Sequence, residues 1–347
     1  MLYLFHIYMA DRPITIKIQE ELFEKKDYTD SNKRCSEIVK EIQNLTKRRT
    51  ITYFAAGLNN TGAFVDDSDA ISIEDLLSYP SDLEGLDLIL NSYGGSALAA
   101  ERIVNVCRKY VQQNKIKEFR VVVPRFAKSA ATMIALGADF ILLCKNAELG
   151  PIDPQLILLG NDGKPFSKPG YQITKAVDDL LSKSEDKTTK EQSKYLNFLQ
   201  QYNYDVYITA QNELNLSNNI ALKLYTQKKQ KFPSLKYKSF DIFTKPEKTL
   251  SHARLISIDD LKGNQLYRLE IIQDLNSFFT KKTNKLSDEN ITKLNELLWE
   301  LYIRKNTYVM DGGNPVIKVI EDANYTFMSQ NTDWKPLKTS TSTQNQS

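Results

Sequence analysis

Leu88–Ile89–Leu90–Asn91–Ser92–Tyr93–Gly94–Gly95–Ser96 is the stretch whose reading decides the fold. Leu86–Asn91 is an apolar run of strand length. It enters a Gly-Gly turn and passes straight into a helical pattern over Ala97–Gln113. A strand apolar at nearly every position is buried on both faces, as strands are in a parallel sheet covered by helices. The same phrase then recurs downstream. Phe119–Val123 is a second apolar strand, closed by Pro124, and a turn leads into a helix of small residues at Ser129–Leu136. Phe140–Leu143 is a third strand. Upstream, Ile38, Val39, Ile42 and Leu45 mark an amphipathic helix over Ser31–Arg49, and Thr50–Ala55 is β-branched and aromatic, a strand. Gly57–Asp69 reads as a loop and Ile71–Tyr79 as a short helix. Strands alternating with helices at this spacing predict βαβ units in a mostly parallel sheet, an α/β fold.

After Pro169 the character changes. Residues 171–230 are lysine-rich with helical periodicity (Val177, Leu180, Leu181; Leu196, Leu199, Tyr202, Val206) and read as a run of helices. Ser257 with Asp260 has the form of a capping box, and Ser287 caps the helix that carries Leu294, Leu297, Leu298 and Leu301. A last strand is expected at Pro315–Ile320. The chain therefore divides into an N-terminal helical segment (1–49), an α/β core with the active site (50–165), a mainly helical region packing on that core (166–328) and a polar, disordered tail (329–347).

The totals exclude several classes. Across 347 residues the net charge is +3, with no block of like charge, so nucleic acid is not the expected partner. The three cysteines, Cys35, Cys107 and Cys144, are an odd count without CxxC spacing and suit free thiols in a reducing compartment. No metal-ligand motif and no GxGxxG after a strand is present, so neither a metal nor a cofactor is expected. The apolar start MLYLFHIYMA is too short to span a bilayer and lacks the basic head of a signal peptide. The expectation is a cytoplasmic protein. Contact of that decapeptide with a membrane is not indicated.

Two turns carry the chemistry. In the first, Gly94 and Gly95 remove the side chains that would keep a ligand from the backbone, and amides before a helix N-terminus can hold an oxyanion. In the second, Lys128–Ser129–Ala130–Ala131 opens a helix, and the alanines let a substrate approach the serine. An isolated serine at a helix start is ordinarily a cap, and an isolated Gly-Gly junction is ordinarily turn geometry. At the same ends of neighbouring parallel strands, however, they would face one crevice. One turn then supplies a nucleophile and the other oxyanion donors, as acyl transfer requires.

The segments NSYGGSALAAERIV, FAKSAATMIALGADFILL and ELGPIDPQ, in that order, resemble the serine proteases of the Clp and signal-peptide-peptidase superfamily, and within it the serine dehydrogenase proteinase family. Ser251–Arg254 and Val316–Glu321 also look like landmarks of that family, so the resemblance covers about 50–325. It implies a Clp/crotonase-like spiral of βαβ units with a helix-rich C-terminal extension. It also implies an ATP-independent serine peptidase or amidase that acts on a peptide or protein substrate and assembles into homo-oligomers. By position it assigns Ser129 as nucleophile and Gly94, Gly95 and the amide of Ala130 as oxyanion hole. Tyr93 stands where many relatives have proline, and Lys128 where they often have a smaller or apolar residue. A catalytically inactive scaffold and an acyl-CoA-processing crotonase-like enzyme are the alternatives.

The general base is open at this level. Clp peptidases place a histidine on the segment matching Gly150–Gln155, where this chain has Asp153, which reads as a turn-fixing residue. Lys128 is adjacent to Ser129, but neighbours at a helix start do not face each other. Lysines downstream of the motif, Lys164, Lys168 and Lys175, could reach back in a Ser–Lys arrangement, Lys168 first among them. His252 is the other candidate, since imidazoles titrate near neutral pH.

Overall fold

In the computed structural model the strands alternate faces as their sequence demands. Tyr53, Leu88, Leu90, Val121, Val123, Ile141 and Leu143 turn to one core, while Phe54, Ile89, Val122, Phe140 and Leu142 turn to another. The structure describes residues 13–25, 28–57, 61–114, 116–160, 162–185, 189–199, 203–263, 271–272, 286–311 and 314–331. The apolar decapeptide at the start and most of the polar tail lie outside them.

The chain runs through helices α1 (Ile14–Lys25) and α2 (Thr29–Thr46) into strand β1 (Arg49–Ala55). Helix α3 (Asp67–Ser78), β2 (Leu86–Asn91), α4 (Ala97–Gln113), β3 (Phe119–Val123), the two-residue β4 (Phe126–Ala127), α5 (Ala130–Gly137) and β5 (Phe140–Leu143) follow. Then come β6 (Glu148–Leu149), the hairpin β7 (Gln155–Leu159) and β8 (Pro165–Pro169), and the helices α6 (Gly170–Glu185), α7 (Thr189–Leu199) and α8 (Tyr204–Lys231). Short helices α9 (Asp241–Thr244), α10 (Pro246–Thr249) and α11 (Ile258–Gly263) precede β9 (Ile271–Ile272), α12 (Asp288–Met310), β10 (Val316–Glu321) and β11 (Thr326–Gln330).

The main sheet has the order β11-β10-β1-β2-β3-β5-β9. From β1 to β9 its strands are parallel, and β10 and β11 extend it antiparallel. One face is covered by α2 and α12 through Ile38, Val39, Ile42, Leu294, Leu298 and Leu301. The other is covered by α3, α4, α5 and α8 through residues such as Ile73, Ile103, Ile134 and Leu224. The strands 86–91, 119–123 and 140–143 and the helix 97–113 fall where the apolar runs predict.

Three differences from the sequence reading have local causes. Helix α3 starts at Asp67 because Asp66 and Asp69 form a reciprocal capping box inside what reads as a loop. The β7–β8 hairpin precedes the helical run, and its outward face has no alternation to announce it: Ile157, Leu159 and Phe166 are exposed. Ser329 and Gln330 close β11, which pairs antiparallel with β10 and sets only Phe327 against the main core. Among the described residues no helix is long and apolar enough to cross a membrane.

Candidate active site

A second, very short ladder crosses the C-terminal ends of the parallel strands. Ser92 lies beside Ala127, Ala127 beside Leu149, and Leu149 beside Ile256. Its bonds are Ser92 N to Phe126 O (3.2 Å), Lys128 N to Ser92 O (3.0 Å) and the reciprocal pair between Leu149 and Ile256 (3.1 and 3.0 Å). The buried Asn91 adds a bond, its Oδ1 accepting from Phe126 N at 3.2 Å. These rows draw the Gly-Gly turn, the serine turn and two later segments to one edge of the fold.

The two turns touch. A Cβ on Gly94 would lie 2.5 Å from Lys128 O and 2.8 Å from both Ala130 N and Ser129 Cβ, and Gly94 has φ +100°. Only glycine meets both conditions. Gly95 is pressed as closely against Val65, whose N–H donates to Gly94 O (2.9 Å) and whose carbonyl accepts from Ser96 N (2.8 Å). The amide of Gly94 is engaged by Ser92 Oγ at 3.1 Å, which makes Gly94 a spacer and leaves it no donor to offer a substrate. Among the described residues, the amides of Gly95 and Ala130 enter no hydrogen bond between elements. Gly95 is exposed, and Ala130 is the first residue of α5, where an amide has no acceptor within its own helix.

Ser129 has φ 50° and ψ −121°, a region that non-glycine residues enter at a cost of about 1–3 kcal/mol. Its hydroxyl makes no capping bond to α5, so the ordinary role of a serine at a helix start is not the one it plays. It is partly exposed, while every residue of α5 behind it is buried. The helix N-terminus is thus held rigidly behind a half-open hydroxyl, where it favours developing negative charge.

Segment 150–153 passes close by this turn. Thr132 Oγ1 accepts from Gly150 N (3.1 Å) and has two carbonyls in reach of its one proton, Ala127 O (2.7 Å) and Gly150 O (3.0 Å), and a Cβ on Gly150 would meet Lys128 at 3.2 Å. Three residues on, Asp153 is buried, and its Oδ1 lies 2.9 Å from His252 Nδ1. The register explains the meeting. Asp153 is four residues past Leu149 and His252 four before Ile256, and that pair is antiparallel. Ile152 N to Phe243 O (2.9 Å) fastens the same stretch from the other side. A carboxylate only accepts, so Nδ1 carries the proton and Nε2 is the basic nitrogen, turned away from Asp153. Gln155 Nε2 donates to the other carboxylate oxygen at 3.2 Å.

The other candidate bases are placed differently. The Lys128 ammonium is 3.2 Å from Glu148 and lies over the Tyr93 ring, 6.0 Å from its centre. Lys168 is partly exposed on β8, opposite Leu156 in the hairpin. Lys164 is exposed beside Asp162, and Lys175 is exposed over Tyr171. Among the described residues no cluster of histidine, cysteine or carboxylate could hold a metal ion. What sequence reasoning missed is the partnership of His252 and Asp153, each of which reads alone as a surface or turn residue. Their only sequence signal is their equal offset from Leu149 and Ile256, which has no meaning until those two are known to pair.

Several known proteins are similar to parts of the chain. Two uncharacterized proteins of Methanocaldococcus jannaschii are 33% identical over 159 residues and 36% identical over 92, or 46% and 26% of this chain. The chain spans about half the length of the first, 49%, and 29% of the second. Among solved structures, a membrane-bound stomatin-specific protease in complex with a substrate peptide is 15% identical, with 63% of this chain and 75% of that one covered and a TM-score of 0.35. An enoyl-CoA hydratase from Mycobacterium avium subsp. paratuberculosis is 14% identical over 66% and 95% of the two chains, with a TM-score of 0.25. Residues 1–228 match the model of the ClpP-like SDH-type serine proteinases, and the chain belongs to that family, with its ClpP-like, crotonase-related fold.

Proposed function

We propose that the chain is a peptidase or amidase that works through an acyl-enzyme on Ser129, with His252 as general base and Asp153 as the group that orients it. In the first step Ser129 Oγ attacks the substrate carbonyl carbon and its proton passes to His252 Nε2. The carbonyl oxygen becomes an oxyanion, held by the amides of Gly95 and Ala130. Collapse breaks the C–N bond, and the leaving amine takes the proton from His252. Water, deprotonated by the same imidazole, then releases the acid and restores the serine.

The observation that carries this reading is the 2.9 Å contact between His252 Nδ1 and Asp153, four residues beyond the Leu149–Ile256 end of the ladder whose other end holds the Ser129 turn. A base held by a third group is the signature of an activated nucleophile. The substrate class is an extended peptide or protein. Self-association belongs to the same proposal, and the exposed Ile157, Leu159 and Phe166 of the hairpin are the surface it would cover. The unpaired thiols of Cys35, Cys107 and Cys144 support a reducing compartment such as the cytoplasm.

A fluorophosphonate probe, read by intact mass, tests the assignment. The expected result is one adduct, absent from Ser129→Ala. Labelling should slow at least about 100-fold in His252→Asn and about tenfold in Asp153→Asn, the range general-base catalysis commands. No adduct on the folded protein would leave the fold as an inactive scaffold. Wild-type labelling of His252→Asn would return the base to Lys168.

A further inference from the structure

We propose that Lys318, on β10 and outside the family-matched residues 1–228, is a positioning residue that holds the oxyanion turn in its working geometry. This deepens the reading above and rests on it for its catalytic consequence. Lys318 is 1% exposed, yet its ammonium does more than satisfy a charge. It donates to Asp69 Oδ1 (2.8 Å) and Oδ2 (3.0 Å), to Asp66 Oδ2 (2.9 Å) and to the backbone carbonyl of Phe64 (2.8 Å). Asp69 is itself fixed by Tyr53 OH (2.7 Å) and by the amide of Asp66 (2.9 Å). One buried ammonium therefore ties β10, β1, the start of α3 and the loop before it.

The next residue of that loop is Val65, whose two backbone bonds straddle Gly95. Val65 N–H holds Gly94 O, and Val65 O holds Ser96 N–H. In a planar trans peptide the carbonyl and the amide point in opposite directions, so fixing Gly94 O toward Val65 aims Gly95 N–H away from it. A glycine pair tolerates other backbone angles at little cost, so the turn does not hold this orientation by itself. Val65 imposes it, and Lys318 imposes Val65 through the carbonyl of Phe64. The ammonium touches no substrate atom and acts through the loop.

Lys318→Met alone leaves the Asp69 carboxylate buried without its cation and can fail to fold, so the deciding variant is Lys318→Met with Asp69→Asn. Asp69→Asn alone keeps the ammonium on Phe64 O and Asp66 and serves as control. Each folded variant is compared with wild type in fluorophosphonate labelling, resolving kinact from KI, and in hydrogen–deuterium exchange over residues 62–66 and 94–96. In the double variant kinact should fall at least about tenfold with KI unchanged, as when an oxyanion donor loses its aim. Exchange at 94–96 should rise. The control should label within about threefold of wild type. A folded double variant with wild-type kinact and wild-type exchange overturns the proposal. Absence of any wild-type adduct would sink the serine reading instead, and exchange would still decide the clamp: a rise at 94–96 upholds it and no rise refutes it.

Discussion

The two ends of the parallel strands are built for opposite purposes. At the N-terminal ends of β2 and β3, Asp87 sits between the guanidiniums of Arg48 (2.5 Å) and Arg120, all three no more than 3% exposed. Arg48 also donates to the carbonyls of Leu86 (3.1 Å) and Glu118 (2.7 Å). Burial pushes the Asp87 carboxyl up, but Arg120 and Arg48 outweigh it and hold the group below the usual carboxylate range. At the C-terminal ends the same strands run out into Gly94–Gly95 and the Ser129 turn, with positive φ, an exposed amide and a half-exposed hydroxyl. One end spends its polar groups on one another. The other leaves them open and carries backbone strain, as the proposed role in binding substrate would require.

The difference can be broken from either side. The largest effect is expected at the closed end: Asp87→Asn leaves two buried guanidiniums without their carboxylate and should cost about 3–5 kcal/mol of stability. Labelling of Ser129 in the folded fraction should stay at the wild-type rate. The sign of the acid response follows from the depressed folded value. Asp87 contributes fully above its unfolded value of about 3.9, and that contribution is lost as pH falls below it toward the folded value. Urea midpoints followed downward from pH 5 should show this loss in wild type and lack it in Asp87→Asn. A variant that loses labelling while staying stable would mean that the two ends are coupled.

At the open end Gly94→Ala should slow labelling about 100-fold, the scale of a lost oxyanion arrangement. The added Cβ meets Lys128 O at 2.5 Å and must push the two turns apart. Stability should fall by less than in Asp87→Asn, as thermal unfolding would show. The smallest effect is expected for Lys128→Met, with labelling within about threefold of wild type, because its ammonium is already engaged by Glu148. A loss beyond tenfold there would mark Lys128 as a base and displace His252.

Much of this was legible in the sequence, for identifiable reasons. Strands 86–91, 119–123 and 140–143 are apolar on both faces because both faces are covered, and such runs admit few other readings. Gly94 and Ser129 were visible because a close approach of backbones leaves a mark on residue type: glycine where a Cβ has no room, and small alanines beside the serine. The β7–β8 hairpin and β11 were not legible: β7 is as apolar at its exposed Ile157 and Leu159 as at its inward Leu156 and Leu158, and no residue of β11 is fully buried. His252 and Asp153 carried no such mark either, because their contact imposes no rule on the residues beside them.

By itself, then, the sequence determined the parallel core, the meeting of two turns at its edge and the serine that stands there. Burial and steric room act residue by residue and are written in local pattern. Tertiary structure alone brought His252 to Asp153 and tied Lys318 to the loop against the Gly-Gly turn, the two contacts on which the proposals rest. His252 is brought to Asp153 by the register of Leu149 with Ile256, and Lys318 to Phe64 by the seating of β10 against β1. Both are pairings between segments distant in sequence, and a local pattern fixes which face a residue turns inward but not which distant segment it will meet there.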